Sequence, residues 1–343
     1  MRAVVLQAHG EPHEALTYRV DLPEPTPAPG EVVLRVRATS LNRVDTVIRR
    51  GYPGLTLQFP HILGGDIVGD VVACGEGVQL LREGTRVLVY PIVWCGTCSL
   101  CRKGLEHLCL RWQYFGMHRA GGYAEYVAVP ERCCIPLPEH LSDVEAACLG
   151  VAGLTAYHAI EAAGVSEGSI LLVWGATGGM GTFLLQLARH RGAYVIATTR
   201  RMEQAELLHS WGADWVLPTL PPEAVLQAVQ ERFPEGIDAV IDYVGPATFP
   251  ISFALLRKGG RLIFCGILTG RETTLSIHQT YLRHVSLHGI YLGTRAELQA
   301  LIGLVTDGIV RPYVAGVHPL SEAPLLHQRM EAGAIVGKTV MVP

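Results

Sequence analysis

Residues 170–188 read ILLVWGATGGMGTFLLQLA: an apolar strand, a turn crowded with Gly175, Gly178, Gly179 and Gly181 around Met180, and the opening of a helix. Glycines at these places let the backbone turn tightly and approach a pyrophosphate, whose charge then meets the positive end of the helix dipole. A glycine-rich turn also serves as a plain strand-to-helix connection. Here the strand before it and the helix after it supply the context a dinucleotide site requires. Outward from this stretch the rhythm repeats: AYVIATT (193–199) then MEQAELLHSWG (202–212), IDAVIDYVG (237–245) then TFPISFALLRKGG (248–260), then RLIFCGIL (261–268). Strand and helix in strict alternation predict right-handed crossovers and a parallel sheet covered on both faces, an α/β unit.

The end of the second strand bears on cofactor choice. A site for NADH would place an acid there to accept from the ribose 2'-hydroxyl, but the chain offers Thr199, Arg200 and Arg201. Two guanidiniums suit a 2'-phosphate, which favours NADPH over NADH; the plainer alternative is that they form the solvated start of a helix.

Residues 1 to about 130 have a different rhythm: AVVL, EVVLRVRATS, IVGDVVACG, TRVLVY and YAEYVAVP, separated by Gly and Pro turns, read as strands without long helices. The tail carries two amphipathic helical stretches, RAELQALIGLVTDGIV (295–310) and LSEAPLLHQRMEAG (320–333), then a final strand, GKTVMVP. This tail is expected to pack back on the first domain. The changeovers fall in chain near 144–160 and 284–295.

At 343 residues the chain suits two domains, each able to bury its own core. A net charge of -3, with acids and bases interspersed, provides no broad positive field for nucleic acid or an anionic membrane, so a small molecule is the expected partner. The apolar runs are too short to span a bilayer and the first residues are unlike a secretory signal, so a cytoplasmic location is expected. Of nine cysteines, four lie within WCGTCSLCRKGLEHLC (94–109), which points to metal binding in a reducing compartment rather than to disulfides. The spacing CxxCxxC, then seven residues and a fourth Cys, lets Cys95, Cys98, Cys101 and Cys109 close a tetrahedron. Four thiolates leave no open position, so the ion is a structural Zn2+, one per chain; an iron–sulfur cluster and unligated thiols are the alternatives.

These stretches together with GEVVLRVRATSLNRVD (30–45), GGDIVGDVVACGEGV (64–78), GGYAEYVAVP (121–130), LGVAGLTAYHAI (149–160) and GKTVMV (337–342) resemble the medium-chain dehydrogenase/reductase family along essentially the whole chain. The resemblance implies a GroES-like β-rich catalytic domain at 1–148 and 284–343, with the zinc lobe at about 91–113. A Rossmann dinucleotide-binding domain at 149–283 would interrupt it, with the active site in the cleft between. The zinc alcohol dehydrogenases of that family use Cys, His and Cys as catalytic ligands, beside a Glu and a relaying hydroxyl. Those positions fall on Asn42, Gly65, Val151, Asp66 and Val44 here. Amide, glycine and valine cannot replace thiolate and imidazole, Asp66 and Asp45 alone make a poor zinc trap, and Cys148 is three residues from the needed position. SLNRVD with GGD is similar to the quinone oxidoreductase branch, which works without a metal; retention of the four-Cys lobe departs from that branch.

The resemblance further implies a nicotinamide near Thr155 and the strand end at Gly266, Ile267 and Leu268, with Lys338 near the cofactor. Asn42 would offer its amide to a substrate carbonyl or the cofactor ribose, with Asp45 and Tyr52 as the next polar candidates. The plainer roles are a buried structural acid paired with an arginine such as Arg43 for Asp45, a pocket wall for Tyr52 and an ordinary surface lysine for Lys338. His158 reads as a helix-face residue. The expected function is NAD(P)H-dependent hydride transfer to a small carbonyl, enone or quinone. A zinc alcohol dehydrogenase with a displaced ion and a non-catalytic NADPH-binding protein are the alternatives. RLIFCGILTG and HVSLHGIYLG should leave an exposed sheet edge that pairs in a homodimer or homotetramer.

Overall fold

A computed structural model describes residues 1–343. The chain forms two compact units, Met1–Leu154 with Thr294–Pro343, and Thr155–Gly293. The tail from Thr294 therefore belongs with the first unit.

In the first unit the long strand Glu31–Ser40 is central, pairing antiparallel with Val68–Cys74, Tyr126–Pro130 and Lys338–Val342. Its sequence explains the placement, since successive side chains point to opposite faces: Leu34 and Val36 are buried while Arg35 and Arg37 are exposed. The inward side chains join Ile67, Val87, Val89 and Phe115 in one apolar cluster. The last strand, Lys338–Val342, also pairs in parallel with Val314–Pro319, so the C-terminus is stitched into the sheet begun at residue 31.

The second unit is a six-stranded, wholly parallel sheet in the order Trp215–Pro218, Tyr194–Thr199, Ile170–Val173, Ile237–Asp242, Leu256–Phe264, Ser286–Gly289. In chain order that is third, second, first, fourth, fifth, sixth, the Rossmann order. Leu172, Ile196 and Val240 on its inner strands are inaccessible, which is why those runs are apolar on both faces.

Three details differ from the sequence reading. Strand Ser286–Gly289 pairs with Leu256–Phe264, so the second unit runs on to Gly293 instead of stopping at 283, and the chain enters it at Thr155 rather than 149. Strand Trp215–Pro218 and helix Pro222–Arg232 were not anticipated; four strand residues carry too little periodicity to stand out. The helix read through 248–260 ends at Leu255, because Leu256 begins a strand whose register shifts between Ile237 and Ala239. No helix is long and apolar enough to cross a membrane.

Candidate active site and metal lobe

The four cysteines of 95–109 converge so that their sulfurs all lie within 4.8 Å of one another. The Cys95–Cys101 and Cys98–Cys101 sulfurs are 3.8 and 3.3 Å apart. Four sulfurs bound tetrahedrally at about 2.3 Å from zinc stand about 3.8 Å from each other, so the lobe fits the ion. Backbone amides already face the sulfurs: Cys98 N to Cys95 Sγ at 3.4 Å, Cys101 N to Cys98 Sγ at 3.5 Å, and Cys95 N and Arg111 N each to Cys109 Sγ at 3.3 Å. The Thr97 backbone, then the Arg111 side chain, pull the Cys95 thiol down to about 4. Burial, then the neighbouring sulfurs of Cys98 and Cys109, push Cys101 up to about 12. Four thiols this close cannot all ionise unaided; a divalent cation removes the conflict.

In the second unit, helix Gly179–His190 opens directly after the first strand, with Gly178 as its N-cap and no side chain capping it. The first amides of the helix are thus left for an anion. Gly175 stands at φ 63°, a left-handed conformation that favours glycine, and its carbonyl accepts from the Tyr243 hydroxyl at 2.7 Å. A Cβ on Gly181 would lie 2.0 Å from the Ala176 oxygen, so this position is a packing requirement. At the end of the second strand Thr199 is buried, and its hydroxyl accepts from Arg201 N at 3.0 Å. Arg200 is exposed, Arg201 half-buried, and the next acid is the exposed Glu203. Gly266 follows the fifth strand, where a Cβ would lie 1.8 Å from the Tyr243 oxygen. Ile267 beside it is exposed, and Thr155 is buried at the unit's first turn of helix.

In the first unit, the positions where a Cys-His-Cys metal site would lie are occupied otherwise. Asp66 is fully buried and surrounded by donors. Its Oδ1 accepts from Val151 N at 2.8 Å, while Oδ2 accepts from Ser40 Oγ, from Asn42 Nδ2 at 2.7 Å and from Lys338 Nζ at 3.4 Å. Lys338 is only 2% exposed, and its ammonium also donates to Asn42 Oδ1 at 2.7 Å and Leu41 O at 3.1 Å. Buried charges persist when paired and fully hydrogen-bonded, and this pair is both. At position 65 a Cβ would fall 2.0 Å from the Tyr114 hydroxyl, so the volume a histidine would need belongs to tyrosine.

This geometry corrects two sequence expectations. Lys338 is not a surface lysine: it is buried and its ammonium donates to three internal acceptors. Asn42 does not present its amide to a substrate carbonyl: Nδ2 points to Asp66 and, at 3.4 Å, to Ser40 O. Tyr52 lies at the far end of helix Arg43–Gly51 from Asn42, about 15 Å along the axis at about 1.5 Å per residue, so the two are not brought together.

Asp45 is buried, and its Oδ2 accepts from Asn42 N at 2.8 Å and from the Tyr123 hydroxyl at 3.2 Å. The acid is structural, but its partner is not an arginine; Arg43 reaches the Met330 carbonyl instead. Tyr123 continues to His327 Nε2 at 3.3 Å. Burial, aided by the Asp66 charge, raises Asp45 to about 7, and burial, with Arg49 adding, lowers His327 to about 3. The folded chain therefore keeps the Asp45 proton from about pH 4, where an unfolded carboxyl loses it, up to about pH 7. Over that window the folded state binds more protons, so raising the pH removes stability. We predict that denaturation midpoints of Asp45→Asn gain on the wild type between pH 4.5 and pH 8; a difference independent of pH would contradict a buried, titrating Asp45.

Among known protein families, the alcohol dehydrogenase GroES-like domain matches residues 28–139, and the zinc-binding dehydrogenase domain matches residues 179–307. The chain belongs to the medium-chain dehydrogenase/reductase family. It is 30% identical to the acryloyl-coenzyme A reductase of Metallosphaera sedula over 99% of both chains. It is 31% identical to an NAD-dependent alcohol dehydrogenase of Sulfurisphaera tokodaii over the full length of both. A crystal structure of an NAD-dependent alcohol dehydrogenase superposes with a TM-score of 0.93, at 35% identity and full coverage of both chains. As a medium-chain dehydrogenase/reductase, the chain is an NAD(P)-dependent oxidoreductase with a GroES-like domain, a Rossmann domain and a cysteine cluster able to hold zinc. Sequence reasoning missed Ser40, Tyr114, Tyr123 and His327 as parts of this family member's buried polar core. No local signal marks them, since the Tyr123 and His327 partners lie 204 residues apart.

Proposed function

We propose that the chain is an NADPH-dependent reductase that delivers hydride to a conjugated or small carbonyl, an enone, quinone or related compound, without a catalytic metal and with one structural zinc on Cys95, Cys98, Cys101 and Cys109. The observation that carries this reading is the saturation of Asp66. The Asp66 carboxylate is buried with four donors around it, one of them the Lys338 ammonium, so its charge is already compensated from within the chain, and at the neighbouring position 65 a Cβ would run into the Tyr114 ring. The similarity to a reductase acting on acryloyl-coenzyme A supports a conjugated acceptor.

When bound, the nicotinamide supplies the hydride. The amides at Gly179, Met180 and Gly181 would hold the pyrophosphate, and Arg200 and Arg201 would hold the 2'-phosphate, with the Thr199 hydroxyl accepting from the Arg201 amide. The nicotinamide end would lie beside the strand end at Gly266 and Ile267, where the absence of a Gly266 Cβ lets that turn pack on the Tyr243 backbone. The proton that completes reduction comes from solvent or through the ribose. The exposed apolar residues Ile277, Tyr281 and Leu282, beside the terminal strand Ser286–Gly289, suit pairing as a homodimer or homotetramer in the cytoplasm.

Metal analysis with turnover assays tests this reading. One zinc per chain is expected, with oxidation of NADPH by quinones or enones, and Arg200→Ala/Arg201→Ala should cut the preference for NADPH over NADH at least about tenfold. Two zincs per chain, or tight NADPH binding with no acceptor reduced, would overturn it.

A further inference from the structure

Glu106 lies inside the cysteine lobe, three residues before Cys109, in the 3-10 turn Glu106–Leu108. It is 8% exposed, which is unusual for a carboxylate. Its backbone carbonyl accepts from Cys109 N at 3.0 Å, so it is tied directly to the fourth sulfur-bearing residue. Its side chain leaves the lobe: Glu106 accepts from the backbone amide of Arg295, 189 residues away, the first residue of helix Arg295–Thr306.

That helix already has its own cap. Thr294 Oγ1 accepts from Glu297 N at 3.1 Å, and Glu297 Oε2 accepts from Thr294 N at 2.6 Å. The capping box does not satisfy Arg295 N, and Glu106 does so with a negative charge at the positive end of the helix dipole. A second strap runs from Arg295, whose guanidinium donates to Cys134 O at 3.1 Å. The same helix packs against the π-helical turn Leu149–Gly153, whose Val151 amide is the one held by Asp66. An unbroken path of contacts thus runs within the first unit from the cysteine lobe through Glu106 to the turn anchored by the Lys338–Asp66 cluster.

We propose that Glu106 is a positioning residue through which metal occupancy of the cysteine lobe holds the start of helix Arg295–Thr306 in place. The turn that carries Glu106 is short and adjoins Cys109. With four sulfurs drawn to one ion the turn has one position; without the ion the sulfurs separate and the carboxylate leaves the helix end. The inference rests on the reading that the four thiolates hold zinc, and it does not depend on which substrate is reduced.

Hydrogen exchange of the full-length protein, read at the amides of 295–301 with those of 170–173 in the other unit as reference, tests it. Stripping zinc from the wild type with a chelator should speed exchange at 295–301 at least fivefold and leave 170–173 unchanged. Zinc-loaded Glu106→Ala should show the same local acceleration and release zinc to a chromogenic chelator at least fivefold faster, and Glu106→Gln, which keeps an acceptor without the charge, should fall between. A merely structural Glu106 would change exchange in Glu106→Ala but not upon zinc removal from the wild type, and that result overturns the inference. Zinc release from Glu106→Ala at the wild-type rate overturns it as well. A wild-type chain that binds no zinc overturns this inference and the zinc reading together, whereas one zinc per chain with exchange indifferent to its removal overturns this inference alone.

Discussion

Lys338→Met should lower the thermal midpoint of the unit that contains it by about 10 °C. Removing one partner of a buried pair leaves the other charge desolvated, at a cost of about 3–5 kcal/mol, and each kcal/mol moves the midpoint of a unit this size by about 2–4 °C. The pair meets the conditions for a large effect: Asp66 is wholly inaccessible, Lys338 nearly so, and no water route is needed to satisfy either. The decisive comparison is with Lys338→Met/Asp66→Asn. Neutralising both groups leaves no orphan charge, so the double variant should recover at least half the loss. Calorimetry or denaturant titration of the wild type, Lys338→Met, Asp66→Asn and the double variant reads this directly. If the double variant is as unstable as the sum of its singles, the two charges are not interdependent and the account of the cluster is wrong.

Gly181→Ala should produce the second large loss, about 3 kcal/mol or more of stability, and with it the loss of NADPH binding. Its Cβ would stand 2.0 Å from the oxygen, 2.4 Å from the carbonyl carbon and 2.7 Å from the Cα of Ala176. Those atoms are backbone of the same turn and cannot move aside as a side chain would. Gly178→Ala makes the contrast, since its Cβ would meet nothing nearer than the Gly175 oxygen at 3.6 Å, and its φ of -76° suits any residue. That variant should fold with the wild-type midpoint and bind NADPH about tenfold more weakly, a difference of about 1.4 kcal/mol, because the added methyl stands where the backbone approaches the pyrophosphate. Cofactor titration followed by nicotinamide fluorescence separates the two. A Gly178→Ala variant that binds as well as wild type would remove that glycine from the cofactor site.

Much of the fold was readable because its signals are local. The run from Ile170 to Ala188 contains its own strand, turn and helix start, and the cysteine lobe its own ligand spacing. Boundaries were less readable: the run at 284–293 reads as a strand at the sheet's edge, yet only its pairing with Leu256–Phe264 carries the second unit on to Gly293. Asn42 and Lys338 show the same limit in the site. Each is a plausible ligand for something outside the protein when read alone, and each turns inward once the other is 2.7 Å away.

What the amino-acid order determined by itself was the two-unit α/β plan, the nucleotide turn, the four-thiolate lobe and the replacement of Cys, His and Cys by Asn42, Gly65 and Val151, because each depends on residue type at short spacing. Only the tertiary structure decided that Asp66, Ser40, Asn42, Val151 and Lys338 share one closed cluster, that Tyr114 fills the space beside Gly65, and that Glu106 reaches Arg295. Those contacts join segments tens to hundreds of residues apart, and a buried polar group takes whichever partner the packed chain brings within hydrogen-bond reach, since leaving it unpaired costs more than any local preference can offset.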